Sequence, residues 1–142
     1  MRTAGEILLK TARGVIYVSP ETSVYDALAR MAEENVSAVA VLECGKLVGI
    51  FSERDYARKI VLKGRSSTST SVAEVMARDV ITIRATASLT DCMEAMTAHQ
   101  IRHLPVFEAS ILLGVLSIGE VVRHVIEEQR QLIEQLESYI RS

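Results

Sequence analysis

The sequence predicts an α+β protein made of two β-α-β-β-α repeats packed as a pseudo-two-fold pair, followed by a long C-terminal helix. Three observations predict it. Residues sixty-five apart coincide without a gap: Gly49 with Gly114, Ser52 with Ser117, Asp55 with Glu120 and Arg58 with Arg123. That period is longer than a solenoid repeat and occurs twice, so two units pack on each other instead of extending an array. Inside each copy the apolar spacing switches between strand-like runs and helical 3–4 steps. Past the second copy, Val122, Ile126, Gln129, Ile133, Leu136 and Ile140 form a heptad-like stripe.

Each copy opens with an extended segment, 15–18 and 80–83, and continues into an amphipathic helix. The helical positions are Val24, Ala27, Leu28 and Met31 in the first copy and Leu89, Cys92, Met93 and Met96 in the second. Ser23-x-x-Asp26 and Ser88-x-x-Asp91 mark the helix starts, since a Ser oxygen accepts from an orphan N–H and the acid complements the helix dipole. Paired strand runs follow, 36–42 with 47–51 and 104–107 with 111–116, and second helices begin near Glu53 and Ile118. The predicted boundaries are 7–61 for the first repeat, 62–71 for a solvated Ser/Thr-rich joint, 72–126 for the second repeat and 127–142 for the helical extension. The first hairpin carries Gly45, whereas the second reads Glu108-Ala109-Ser110, which predicts two different turns.

Composition narrows the function. The chain has 142 residues, 49% of them hydrophobic, and a formal net charge of −2. A nucleic-acid surface needs a basic footprint that this balance does not supply. No aliphatic run approaches the roughly 18 residues that cross a bilayer. The first residues lack an apolar stretch followed by a cleavage site, and Cys44 and Cys92 form no metal or redox spacing, so the expected compartment is the cytoplasm. His99 and His103 stand four apart without an acid or Cys to complete a metal set. No nucleophile-base-orienter set is legible, so no enzyme activity and no required cofactor are expected.

The sharpest local pattern is Gly49-x-x-Ser52-x-x-Asp55, echoed by Gly114-x-x-Ser117-x-x-Glu120, each running from a strand into a helix N-terminus. Free N–H groups and the helix dipole favour a phosphate, Ser offers a hydroxyl, the acid can accept from ribose hydroxyls, and Gly lets a ligand approach the strand. The same Ser-x-x-acid pattern is also a capping box, which needs no ligand. Copy two alone has Arg102-His103, where copy one has Ser37-Ala38, so these cations are not a requirement of the repeat.

These segments, with Gln100-Ile101-Arg102-His103-Leu104-Pro105-Val106, Val18-Ser19-Pro20 at the start of the first helix and the duplication itself, resemble a pair of CBS domains, the arrangement called a Bateman module. Stand-alone bacterial members are similar through Ser52–Lys59 and 133–140. The resemblance implies a regulatory sensor that binds AMP, ADP, ATP, NAD or S-adenosylmethionine in a cleft between the copies, usually as a homodimer and without catalysis. It implies that Asp55 holds ribose hydroxyls and Ser52 a phosphate, with Arg54 beside them, and that Ser117 and Glu120 repeat those roles. Arg102 and His103 would face phosphates. Ile16, Tyr17, Ile81 and Thr82 would line the adenine. Glu120 stands where Asp is usual in the family, which predicts unequal pockets. The rival reading is a structural interaction module in which both Ser-x-x-acid segments are caps and the C-terminal helix recruits a partner.

Overall fold

The computed structural model describes residues 2–11 and 14–141. The chain divides into two compact units, Arg13–Thr82 and a second that joins Met1–Ala12 to Ile83–Ser142. The segment ahead of the first sheet thus belongs with the second, and the segment ahead of the second sheet, up to Thr82, stays with the first.

In the unit Arg13–Thr82, β1 (Tyr17–Val18) runs parallel to β2 (Ala38–Glu43), and β2 is antiparallel to β3 (Lys46–Ser52). Helix α2 (Val24–Glu34) is capped by Ser23, whose side chain accepts from the Asp26 N–H, and it ends at Asn35 in the left-handed region with φ 54°. Pro20, which the sequence places at the opening of this helix, instead lies in the turn ahead of it, because the Ser23 cap defers the first helical residue to Val24. After β3 comes a short helix α3 (Glu53–Tyr56) that widens into a π-helical segment, Ala57–Val61. A single 3₁₀ turn, Val72–Glu74, closes the unit. Val24, Ala27, Met31, Val39, Val41, Phe51, Ile60, Val72 and Val75 form the core.

The segment 62–71 is largely exposed but is anchored at two points. The N–H groups of Val24 and Tyr25 donate to the carbonyls of Thr70 and Ser67, and Thr70 is buried. First-turn N–H groups of a helix have no intrahelical partner, so the joint supplies one. Arg65, within this segment, is held by Glu74 at 2.6 Å.

The other unit repeats the pattern with β4 (Ile83–Arg84) parallel to β5 (His103–Glu108) and β5 antiparallel to β6 (Ile111–Ser117). Helix α4 (Leu89–His99) carries a full capping box at Ser88 and Asp91 and buries Leu89, Cys92 and Met96. Met93 is exposed instead of joining that face. Burial pushes the Cys92 thiol up to about 11, which keeps it protonated. Helix α1 (Ala4–Thr11) contributes Ala4 and Ile7 to this unit's buried set, and the Ala4 and Gly5 N–H groups donate to the carbonyls of Ala87 and Ala85. The 3₁₀ turn does the equivalent in the first unit, where Val72 and Ala73 donate to Thr22 and Pro20. Helix α5 (Ile118–Arg141) follows β6 directly.

The two hairpin turns differ as their residues predict. Cys44 and Gly45 both have positive φ, 52° and 78°, whereas in the second turn only Ala109 does, at 53°.

Candidate functional site

Two strand-to-helix junctions carry the candidate residues, one in each unit. At the first, Ser52 ends β3 and caps α3. Its N–H donates to Asp55 Oδ2 at 3.0 Å, its hydroxyl donates to the same oxygen at 3.0 Å, and that hydroxyl accepts from the Asp55 N–H at 3.2 Å. The second oxygen, Oδ1, lies 3.1 Å from Lys59 Nζ, which also donates to the Val75 carbonyl at 2.8 Å. The Asp55 carboxylate, only 16% exposed, is thus gripped at both oxygens. Arg54 is exposed, Ile16 half-buried and Tyr17 exposed. Tyr17 pairs with Ala40 across the sheet, and the Ala40 N–H donates to the Ile16 carbonyl at 3.3 Å.

At the second junction, the Ser117 N–H and hydroxyl donate to Glu120 Oε1 at 3.2 and 3.0 Å, and the Glu120 N–H returns a bond to Ser117 Oγ at 3.2 Å. His103 is the register partner of Ser117, and the Ile118 N–H donates to the Arg102 carbonyl at 2.8 Å. Arg102, His103, Ser117 and Glu120 are therefore brought together at one end of the β5–β6 pair. The exposed Arg102 side chain stands there as an outward cation. Ile81 is half-buried and Thr82 exposed. Pro105 occupies the repeat position of Ala40 and has no N–H, so it cannot give Ile81 the bond that Ile16 receives.

Two features escaped the sequence. Lys59 locks Asp55; an acid four residues before a lysine is the signal for such a pair. Its repeat counterpart is His124, whose Nδ1 accepts from Arg2 Nη1 at 2.7 Å, while the Arg2 guanidinium also binds Glu127 at 3.1 and 3.2 Å. Partial burial and the neighbouring Arg2 hold the His124 pKa below its ordinary value. Among the described residues Glu120 has no ion pair.

The glycines of both motifs stand against packed protein groups. A Cβ on Gly49 would stand 2.5 Å from Met76 Sδ and 2.9 Å from the Ala77 carbonyl oxygen, and one on Gly114 would stand 3.4 Å from the Leu8 methyls. At Gly49 there is no room for a side chain, whereas the separation at Gly114 is an ordinary van der Waals contact.

A CBS-domain family profile matches residues 4–62 and 72–127. The chain belongs to the CBS-domain family. Its two CBS domains are 39% identical over 131 residues to the mitochondrial CBS domain-containing protein CBSX3 of Arabidopsis thaliana, covering 89% of this chain and 64% of that protein. The chain thus spans less than two thirds of that relative's length. The CBS domain-containing protein YhcV of Bacillus subtilis is 35% identical over 107 residues, covering 75% of this chain and 76% of YhcV. Among solved structures, a CBS-domain protein from Burkholderia ambifaria superposes with a TM-score of 0.84 at 41% identity, covering 89% and 96% of the two chains. A CBS domain protein from Pyrobaculum aerophilum, complexed with AMP, has a TM-score of 0.73 at 23% identity over 83% of this chain and 88% of its own, a likeness of fold. No helix among the described residues is long and apolar enough to cross a membrane.

Proposed function

We propose that this CBS pair is a regulatory, non-catalytic sensor of an adenine nucleotide, such as AMP, ADP, ATP, NAD or S-adenosylmethionine, acting in the cytoplasm as a homodimer. The observation that carries the reading is the matched pair of junctions, each presenting a hydroxyl, an acid and a helix start at repeat-equivalent positions. Asp55 and Glu120 hold ribose hydroxyls, since each carboxylate has one oxygen outside its capping box with acceptor capacity to spare. Ser52, Arg54, Ser117, Arg102 and His103 receive phosphates, with Arg102 supplying a charge-assisted contact. Ile16, Tyr17, Ile81 and Thr82 pack the base. That a CBS fold accommodates AMP in the Pyrobaculum aerophilum protein supports the ligand class. A ligand regulates such a module only through different affinities for its alternative arrangements.

Isothermal titration of the full chain with AMP, ADP, ATP, NAD and S-adenosylmethionine tests this. Saturable binding of one of them is expected, and silence from all five at millimolar concentration rejects it. The complete capping boxes favour a second reading, an interaction module whose Ser-x-x-acid segments serve only as caps. Under that reading Ser52→Ala lowers the melting temperature and leaves no nucleotide effect to change.

A further inference from the structure

Every residue of α5 from Gln129 to Arg141 is exposed. At a rise of about 1.5 Å per residue this is about 20 Å of helix beyond its unit's core. The projecting part is not uniformly polar. Ile126, Leu132, Ile133, Leu136, Tyr139 and Ile140 are between 51% and 81% exposed. In heptad terms Ile126, Ile133 and Ile140 take the a positions, Gln129 and Leu136 take d, and Leu132 and Tyr139 take g, giving one apolar seam interrupted at Gln129. The e positions alongside it change sign along the chain, from Arg123 and Arg130 to Glu137.

We propose that α5 pairs with α5 of a second copy in antiparallel orientation, the apolar seams facing and Arg130 of each chain opposite the partner's Glu137. Charge complementarity selects this arrangement. In an antiparallel pair e positions face e positions. Setting Ile133 against the partner's Leu136 then brings Arg130 to the partner's Glu137 on both sides of the two-fold. It also puts Leu132 beside the partner's Tyr139 on the opposite flank, so that flank is dry. A parallel pair would instead face g against e, setting Leu132 on Glu137 and stacking Gln129 on Gln129 within the seam, with no opposite charges matched. The partner is thus a second copy of this chain, joined through an interface separate from either strand-to-helix junction.

Sedimentation equilibrium of the full chain tests the pairing, with far-UV circular dichroism to confirm that each variant is folded. The parent is expected to be a dimer or a larger even assembly. Ile133→Asp combined with Leu136→Asp is expected to halve its mass. Arg130→Glu or Glu137→Arg alone should raise the dissociation constant about tenfold, because two exposed ion pairs become two repulsions. The Arg130→Glu/Glu137→Arg double variant should recover the parent's constant. A monomeric parent, an unchanged mass in the Asp variant, or a double charge variant as weak as the singles overturns the proposal. Nucleotide titration of the same samples reads the ligand sites separately, since none of these substitutions touches a junction residue.

Discussion

Gly49 packs so closely on Met76 that a Cβ at residue 49 would stand 2.5 Å from the methionine sulfur and 2.9 Å from the neighbouring Ala77 carbonyl oxygen. A flexible thioether can shift, but the backbone oxygen cannot without breaking the Ile50–Ala77 bridge. Gly49→Ala is therefore expected to destabilise the protein by about 1–3 kcal/mol, the usual cost of overpacking. At Gly114 a Cβ would meet only Leu8 methyls at 3.4 Å, but φ is 159°, a backbone conformation that L side chains rarely adopt, so Gly114→Ala is expected to destabilise through the backbone instead. Urea unfolding of both variants checks this, and an unchanged stability in Gly49→Ala would refute the packing account.

Asp55 is preorganised by Lys59 and Ser52, whereas Glu120 is held at one oxygen on a longer arm. Ligand contacts made by a preset group lose less ordering entropy. Asp55→Ala should weaken nucleotide binding by about ten- to a hundredfold, the value of a hydrogen bond to a charged group, and by more than Glu120→Ala. Titration calorimetry with whichever nucleotide binds the parent decides it. A larger loss for Glu120→Ala would reverse the ranking.

Arg102 contributes an exposed cation beside Ser117. Arg102→Ala should cost binding of a phosphorylated nucleotide about tenfold and leave adenosine unaffected, and the deficit should shrink as salt is added. Competition binding at two ionic strengths measures both effects. A loss equal for adenosine and AMP would show Arg102 to be structural.

The Arg2–His124–Glu127 cluster ties the N-terminal segment to α5. Its pH dependence follows from the lowered His124 pKa. A histidine that is harder to protonate in the folded state adds stability above its ordinary pKa, about 6.5, and that stability is lost as pH falls through the folded value. Below that range the imidazolium repels Arg2. Melting temperature should therefore fall between neutral and mildly acidic pH, and less steeply in His124→Gln. An identical slope in the variant would exclude His124 as the cause.

The duplication, the helix caps and both Ser-acid pairs were legible in the sequence because they depend on residues three or four apart, or on a repeat that leaves a fixed offset. Ser88 with Asp91 and Ser117 with Glu120 form the bonds their spacing dictates. Lys59 was within reach of the same logic, being four residues from Asp55, but its second anchor on Val75 was not. Tertiary structure alone decided that Met76 packs against Gly49, that Leu8 lies against Gly114, and that Thr70 and Ser67 accept from the first-turn N–H groups of α2. In those pairs the partners are tens of residues apart and belong to segments whose repeat register has shifted, so no local periodicity links them. They meet because buried backbone groups and interior space must be filled by whichever side chain the packed chain delivers there.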